Sequence, residues 1–204
     1  MVTAALRVEQ IPDSPIYNER EILRYARIMG GRTDELPLDE CLELARGYGG
    51  GRVVWRILSC NTETSGLALG TFSLISADLA KALSGCQEAV VFAATLGMGM
   101  DRLIARYQKI SPVRSLLLHS IGAERIERVC DVFCGMLSQT LRDSGKRLKP
   151  RFSPGYGDLS LETQRQIFAL LDCERQIGLT LNGSLIMSPS KSVTAIAGIT
   201  LEKE

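Results

Sequence analysis

Along this chain the spacing of apolar residues switches several times between three-to-four and two, so helices and strands are interleaved. Ile22, Leu23, Ala26 and Met29 fall on one helical face behind Asn18, which stands from Glu21 at capping-box distance. A helix of about three turns is expected there, stopped by Gly30-Gly31. A second helix is expected over 38–46, with Pro37 at its first position and Gly47 behind it. The β-branched and aromatic run from Arg52 to Cys60 predicts a strand, with 66–74 as its hairpin neighbour. Ser76 caps a short helix over 77–83 that closes at Gly85. A buried strand over 88–96 follows, then the glycines Gly97 and Gly99, and a helix over 101–107.

The longest helical pattern opens with Ser111 as cap and Pro112 at the first position, and closes at Gly145. Its apolar face includes Leu117, Ile121, Val129, Cys130, Phe133, Leu137 and Leu141. Gly122 within it either weakens the helix locally or admits another element at close range. A basic, proline-bearing segment spans 146–157, and a helix capped by Ser160 runs on to Gly178. The stretch 184–200 reads as two strands around the turn 188–191. Without a regular βαβ repeat the fold class is α+β, in one domain over 1–204 that begins with a helical segment, 1–46.

Composition narrows the picture. With 204 residues and 45% hydrophobic content the chain can bury a substantial core. A formal charge of +1 offers no global argument for nucleic acid or a membrane surface. Arg7, Glu9 and Asp13 interrupt the only apolar N-terminal stretch, and no run approaches the roughly 20 apolar residues of a bilayer span. A cytoplasmic protein is expected. The six cysteines form no C-x-x-C pair; Cys130 and Cys134 have helical i,i+4 spacing but no histidine nearby in sequence, so all six read as reduced core or near-core residues.

The candidate chemistry concentrates at Arg151-Phe152-Ser153-Pro154-Gly155-Tyr156. Pro154 fixes its own φ and biases Ser153 to extended geometry, while Gly155 is free to take a positive φ beside a ligand. An arginine fork holds a carboxylate bidentately, and backbone groups near Gly155 can read an adenine edge or an ammonium group; a plain surface turn is the alternative. The run Gly49-Gly50-Gly51 lacks the Lys-Ser/Thr of a phosphate loop and reads as a connector. Gly97-Met98-Gly99, between a strand and a helix N-terminus, is a second possible anion site and supports a rival nucleotide-binding reading, although Arg102 breaks the G-x-G-x-x-G pattern. The sole histidine, His119, precedes Gly122 at the spacing of a cobalt-ligating D-x-H-x-x-G motif, but Leu117 replaces the aspartate. It reads as a core or edge histidine.

The stretch RFSPGYGDLSLETQRQIFALL, then Ile177-Gly178, then Met187-Ser188-Pro189-Ser190-Lys191-Ser192-Val193, resembles the C-terminal activation domain of cobalamin-dependent methionine synthase. The match is close over 151–198 and weaker over the long helix, where Ala123-Glu124-Arg125 is similar to the family's central helix. The resemblance implies an antiparallel sheet packed with several helices and a site for S-adenosylmethionine. In it Arg151 meets the ligand carboxylate, and Ser153 and Tyr156 act mainly through backbone groups. Pro154 and Gly155 shape the turn, Ser192 and Val193 border the site, and Glu124 is a further candidate. It also implies a cobalamin-loaded methionine synthase subunit or other corrinoid protein as partner and a flavodoxin-like reductant, the chain supporting reductive methylation without being a complete methyltransferase. A module that binds no ligand and only docks on the corrinoid protein is the alternative. The family's acidic N-terminal contact and terminal tyrosine pair have no evident counterpart here.

Overall fold

The computed structural model describes residues 5–28, 35–63, 66–70 and 72–202. Its elements are β1 (Arg7–Ile11), α1 (Glu19–Tyr25), α2 (Leu38–Ala45), β2 (Gly51–Glu63), β3 (Gly66–Leu69), β4 (Phe72–Leu74), α3 (Ala77–Ala82) and β5 (Glu88–Thr95). They continue with α4 (Met98–Gln108), α5 (Pro112–Arg142), β6 (Lys146–Phe152), α6 (Thr163–Leu171), α7 (Cys173–Ile177), β7 (Thr180–Leu181), β8 (Met187–Ser188) and β9 (Ser192–Leu201). The main sheet runs β4-β3-β2-β5-β9-β6, with β1 also on β2, and each pairing is antiparallel. The fold is therefore α+β, as the sequence pattern implies.

Strand alternation divides the core. Val53, Trp55, Val90, Phe92, Ala94, Ala195 and Ala197 face α5 and pack on Val129, Cys130, Phe133 and Leu137. Val54, Leu58, Val91, Ala93 and Ile196 face the other way, against Leu79 of α3, Leu83 that caps it, and Ile167, Leu171 and Ile177 of α6 and α7. Because both faces of β5 are covered, its sequence is apolar at nearly every position rather than alternating. Burying each large aliphatic or aromatic side chain here stabilises the fold by about 1.5–3 kcal/mol. At its N-terminal end α5 instead gathers α1, α2 and α4 around Leu117, Leu118 and Ile121. Ser111 accepts from the Arg114 amide and Pro112 opens the first turn, so this helix begins where its capping signals place it.

Several elements differ from the sequence pattern. The segment 1–46 is not helical throughout: it opens with β1, whose Val8 is 44% exposed and leaves only Ile11 in the core. Helix α1 has 7 residues instead of about three turns, ending at Tyr25 with Ala26 as its cap before Arg27 turns to φ +58°; Met29 and the Gly30-Gly31 stop lie outside the described residues. Asn18 does cap Glu21, but its own amide donates to Glu124 rather than back to Glu21, which is paired with Arg24. Helix α4 starts at Met98, earlier than 101. The helix expected from Ser160 to Gly178 begins at Thr163 and is split at Asp172, which takes a left-handed φ of 48°. The basic segment from 146 is an edge strand, with Pro150 at its register shift, where no ladder donor is required. The two strands around 188–191 do not form a hairpin with each other: β8 pairs β7, and β9 lies between β5 and β6.

The glycine run is a packing requirement rather than a loose connector. A Cβ on Gly51 would fall 2.9 Å from Val129 Cγ1, and one on Gly50 3.0 Å from the Ile11 carbonyl. Gly122 likewise lets the stem of Lys191 lie across α5, since a Cβ there would be 3.0 Å from Lys191 Cε. All six cysteines are free, five buried and Cys134 half-buried, in keeping with core positions. Burial pushes the thiols of Cys41 and Cys60 up to about 11. Among the described residues no helix is long and apolar enough to cross a membrane.

Candidate functional site

Strand β6 leaves the sheet after Phe152, opposite Ile196, while β9 continues to Ser192. The gap is filled by the turn at 153–157. Gly155 has φ +90° and Gly157 φ +53°, conformations that a side chain would strain. The Gly155 amide donates to the Leu159 carbonyl at 2.8 Å and the Tyr156 amide to Ser153 at 3.2 Å, closing the turn on itself. Asp158 then straps it to α3. Its carboxylate accepts from the Ser76 hydroxyl, from the Ala77 amide at 2.7 Å and from the Asp78 amide at 3.2 Å. In return Asp78 accepts from the Asp158 amide at 3.3 Å. The Ser76 hydroxyl and these amides hold the Asp158 carboxyl below its ordinary pKa.

Arg151, at the end of β6, faces α5. Its Nη2 donates to Glu127 Oε2 at 2.5 Å, and Nη1 lies 3.2 Å from Asp131 Oδ1 in an ion pair. Glu127 and Asp131 stand one helical turn apart on α5, so the guanidinium bridges an i,i+4 acidic pair. Nη1 is buried and has no well-aligned hydrogen bond among the described residues.

Two grooves meet at this ion pair, both containing Arg151 and Glu127. The smaller, about 420 Å³, has largely apolar walls from Phe152, Pro154, Tyr156, Met187 and Val193, with Ser153, Ser192 and Gln164 among them. The larger, about 690 Å³, is walled by Tyr17, Tyr25, Glu19, Glu21, Glu124 and Asp131, with Arg128 beside them. Each lies in the size range of small-molecule sites.

The residues singled out in the sequence thus converge, with differences in detail. Arg151, Ser153, Pro154, Tyr156 and Ser192 all line the smaller groove. Gly155 shapes the turn from behind, where a Cβ would meet Leu161 at 3.3 Å. Tyr156 is 70% exposed, so its ring is available at the rim rather than packed in the core. The amides of Gly155 and Tyr156 are engaged within the turn, which corrects the idea that they are free to read a ligand. Ser192 Oγ lies 2.8 Å from both Thr95 Oγ1 and the Pro189 carbonyl, so this hydroxyl braces the wall. Glu124 borders the larger groove but is bound by Arg125 at 2.6 and 2.8 Å. Arg125, only 1% exposed, also donates to the carbonyls of Ser14 and Ile16 and lies 4.1 Å from the Tyr17 ring centroid. This pair ties the N-terminal segment to α5.

Sequence reasoning missed Glu127, Asp131 and Gln164, and missed that the segment after β1 brings Glu19 and Glu21 to the cleft. The i,i+4 acidic spacing on α5 was a visible signal, but nothing in it pointed to an arginine 24 residues later. The lysines of the basic segment from 146 are engaged within the fold. Lys146 pairs with Glu88 at 2.5 Å, and Lys149 donates to Ala82 and Ser84 carbonyls at 3.2 and 2.6 Å. In the turn Gly97-Met98-Gly99, Tyr48 packs over Gly99, where a Cβ would be 2.6 Å from its ring, while Gly97 faces open space; Asp101 already holds Ser190 at 2.7 and 2.8 Å. His119 is an exposed edge residue, its Nδ1 2.9 Å from Lys191 Nζ. Burial lowers the Lys191 amine to about 8, and partial desolvation of the His119 ring, together with the nearby Lys191, lowers His119.

An antiparallel α+β domain with a bipartite cleft at its sheet edge is what these features define. The same fold is found in the MetH reactivation domain bound to AdoHcy, a solved structure similar to this chain with a TM-score of 0.67 and 14% identity over 99% of this chain and 81% of that one. Neither a protein-family model nor a curated protein matches the sequence.

Proposed function

We propose that this chain binds S-adenosylmethionine across the two grooves and serves as a reactivation module for a cobalamin-dependent methionine synthase. The observation that carries the reading is the gathering of Arg151, Ser153, Pro154, Tyr156 and Ser192 around one groove, on a fold whose similar solved example is bound to AdoHcy. The cleft fits such a ligand in its chemistry. Arg151 has an under-used Nη1 for a carboxylate, Glu127 and Asp131 lie within reach of an ammonium group, and the apolar walls of the smaller groove suit a base.

The bound ligand supplies an electrophilic methyl group on a sulfonium. This chain's residues orient it: Arg151 exchanges part of its contact with Glu127 for the ligand carboxylate, and the freed Glu127 faces the amino group. Positioning rather than acid–base work is the contribution, because two reactants held in line gain a large effective molarity. A partner corrinoid protein brings the cobalamin, and a flavodoxin-like protein brings the one electron needed for methylation of cob(II)alamin. The sole histidine here, in contact with Lys191, is no ready cobalt ligand. That Arg151 is already neutralised by two carboxylates favours a second reading, a docking module without ligand.

Titration calorimetry separates the two. Because the cleft is open, S-adenosylmethionine binds with a Kd in the micromolar range or weaker, about −8 kcal/mol or smaller in magnitude. A flat titration at millimolar ligand rejects the first reading and leaves the docking module.

A further inference from the structure

Gln164 lies in the first turn of α6, between buried Thr163 and exposed Arg165, and is itself only 5% exposed. It forms part of the wall of the smaller groove. Its Oε1 is shut off from solvent and accepts no hydrogen bond among the described residues. Buried side-chain oxygens are satisfied in the great majority of cases, so an orphan on the wall of a cleft calls for a donor. The terminal amide torsion of glutamine is broad, so the carbonyl can turn toward the groove without disturbing the helix. The surrounding walls, Phe152, Pro154, Tyr156 and Met187, are apolar and offer the base no competing side-chain charge. The charged groups Arg151 and Glu127 stand where the two grooves join.

We propose that Gln164 is a specificity-determining residue that reads the base of the ligand, its amide oxygen accepting a hydrogen bond from the exocyclic amine of adenine. This rests on the S-adenosylmethionine reading, with the amino acid end at Arg151 and the nucleoside in the smaller groove. A glutamine in this place selects for a base bearing an N–H donor. Loss of that donor leaves the buried oxygen unpaired, so discrimination comes from the cost of the wrong ligand as much as from the gain of the right one.

The test is calorimetry with S-adenosylhomocysteine and its counterpart carrying unsubstituted purine in place of adenine, on the wild-type protein, Gln164→Met and Gln164→Glu. Wild type prefers the adenine compound by about tenfold, the worth of one buried hydrogen bond. Gln164→Met, similar in volume but without an acceptor, binds both compounds within about twofold of each other, chiefly by losing affinity for adenine. Gln164→Glu, which still accepts, keeps the preference. Equal weakening toward both compounds in Gln164→Met, or a preference that survives it, overturns the assignment and makes Gln164 a structural wall or a partner of the amino acid end. Wild type binding both compounds equally overturns the assignment alone, whereas wild type binding neither removes the S-adenosyl reading with it.

Discussion

Arg151 illustrates how an arginine at the sheet edge is compensated within the fold. Half-buried at the end of β6, it is compensated by Glu127 at 2.5 Å and Asp131 at 3.2 Å. A cation so placed is costly to leave unpaired, and the acidic pair on α5 meets that cost. Under the proposed S-adenosylmethionine reading, ligand binding is an exchange, and the net gain is smaller than that of a free arginine. Arg151→Ala removes about 2 kcal/mol of binding, roughly thirtyfold in Kd. Calorimetry on the variant, with its thermal unfolding checked beside wild type, decides this; equal affinities take Arg151 out of the site. The arginine was legible in the sequence because the residues that frame it are contiguous, Arg151 through Tyr156. Glu127, Asp131 and Gln164 were not, because they meet the groove only through the packing of α5 and α6 against the sheet edge. Their types and spacings also suit exposed helix faces.

Among the elements, the long α5 was legible almost to the residue, since local chemistry decides its start: the Ser111 cap and Pro112 act within one turn. Strands β1 and β6 were not. Both lie at the sheet margin, where one side is unpaired and charged residues are tolerated, so neither shows a clean alternation. The turn at 153–157 depends on α3 in a way that no local pattern shows. Asp158 joins the turn to Ser76, Ala77 and Asp78, more than 70 residues earlier in the chain. Because its folded-state pKa is lowered, the contribution of this strap is present above the ordinary carboxylate value of 3.8 and fades as pH falls through the lower folded value. Asp158→Asn keeps the side-chain size but loses the charge and one acceptor oxygen. The variant stays folded at pH 7 and binds S-adenosylmethionine several-fold more weakly. Its amides at 77–79 exchange faster with deuterium, and its stability depends less on pH below about 4. Unchanged exchange at α3 together with unchanged affinity dismisses the strap as a positioning device.

At the scale of the whole molecule, interleaved helical and strand patterns without a βαβ repeat were enough for the α+β class, but the order of strands was not encoded in any local run. β9 lies between β5 and β6 because its alternate residues must fill two cores at once, Ala195 and Ala197 on the α5 side and Ile196 on the other. That placement opens the sheet edge where β6 ends, and the cleft forms there rather than inside the domain. An open edge is poorly suited to holding a ligand tightly but suited to presenting one end of it to a large acceptor. The reactivation reading makes a definite demand of this shape: the methyl group must leave toward another protein. When this chain is mixed with a cobalamin-loaded methionine synthase lacking its own activation domain, a one-electron reductant and methyl-labelled S-adenosylmethionine, label is expected on cobalt. The transfer requires the chain, and Arg151→Ala slows it by about the same thirtyfold that it loses in affinity when ligand is subsaturating. Salt affects the rate only modestly, because Lys146 and Lys149 are already engaged within the fold and the formal charge is +1. Ligand binding without any label on the cobalt of its cognate corrinoid protein removes the reactivation role and leaves an S-adenosylmethionine site that serves a different acceptor.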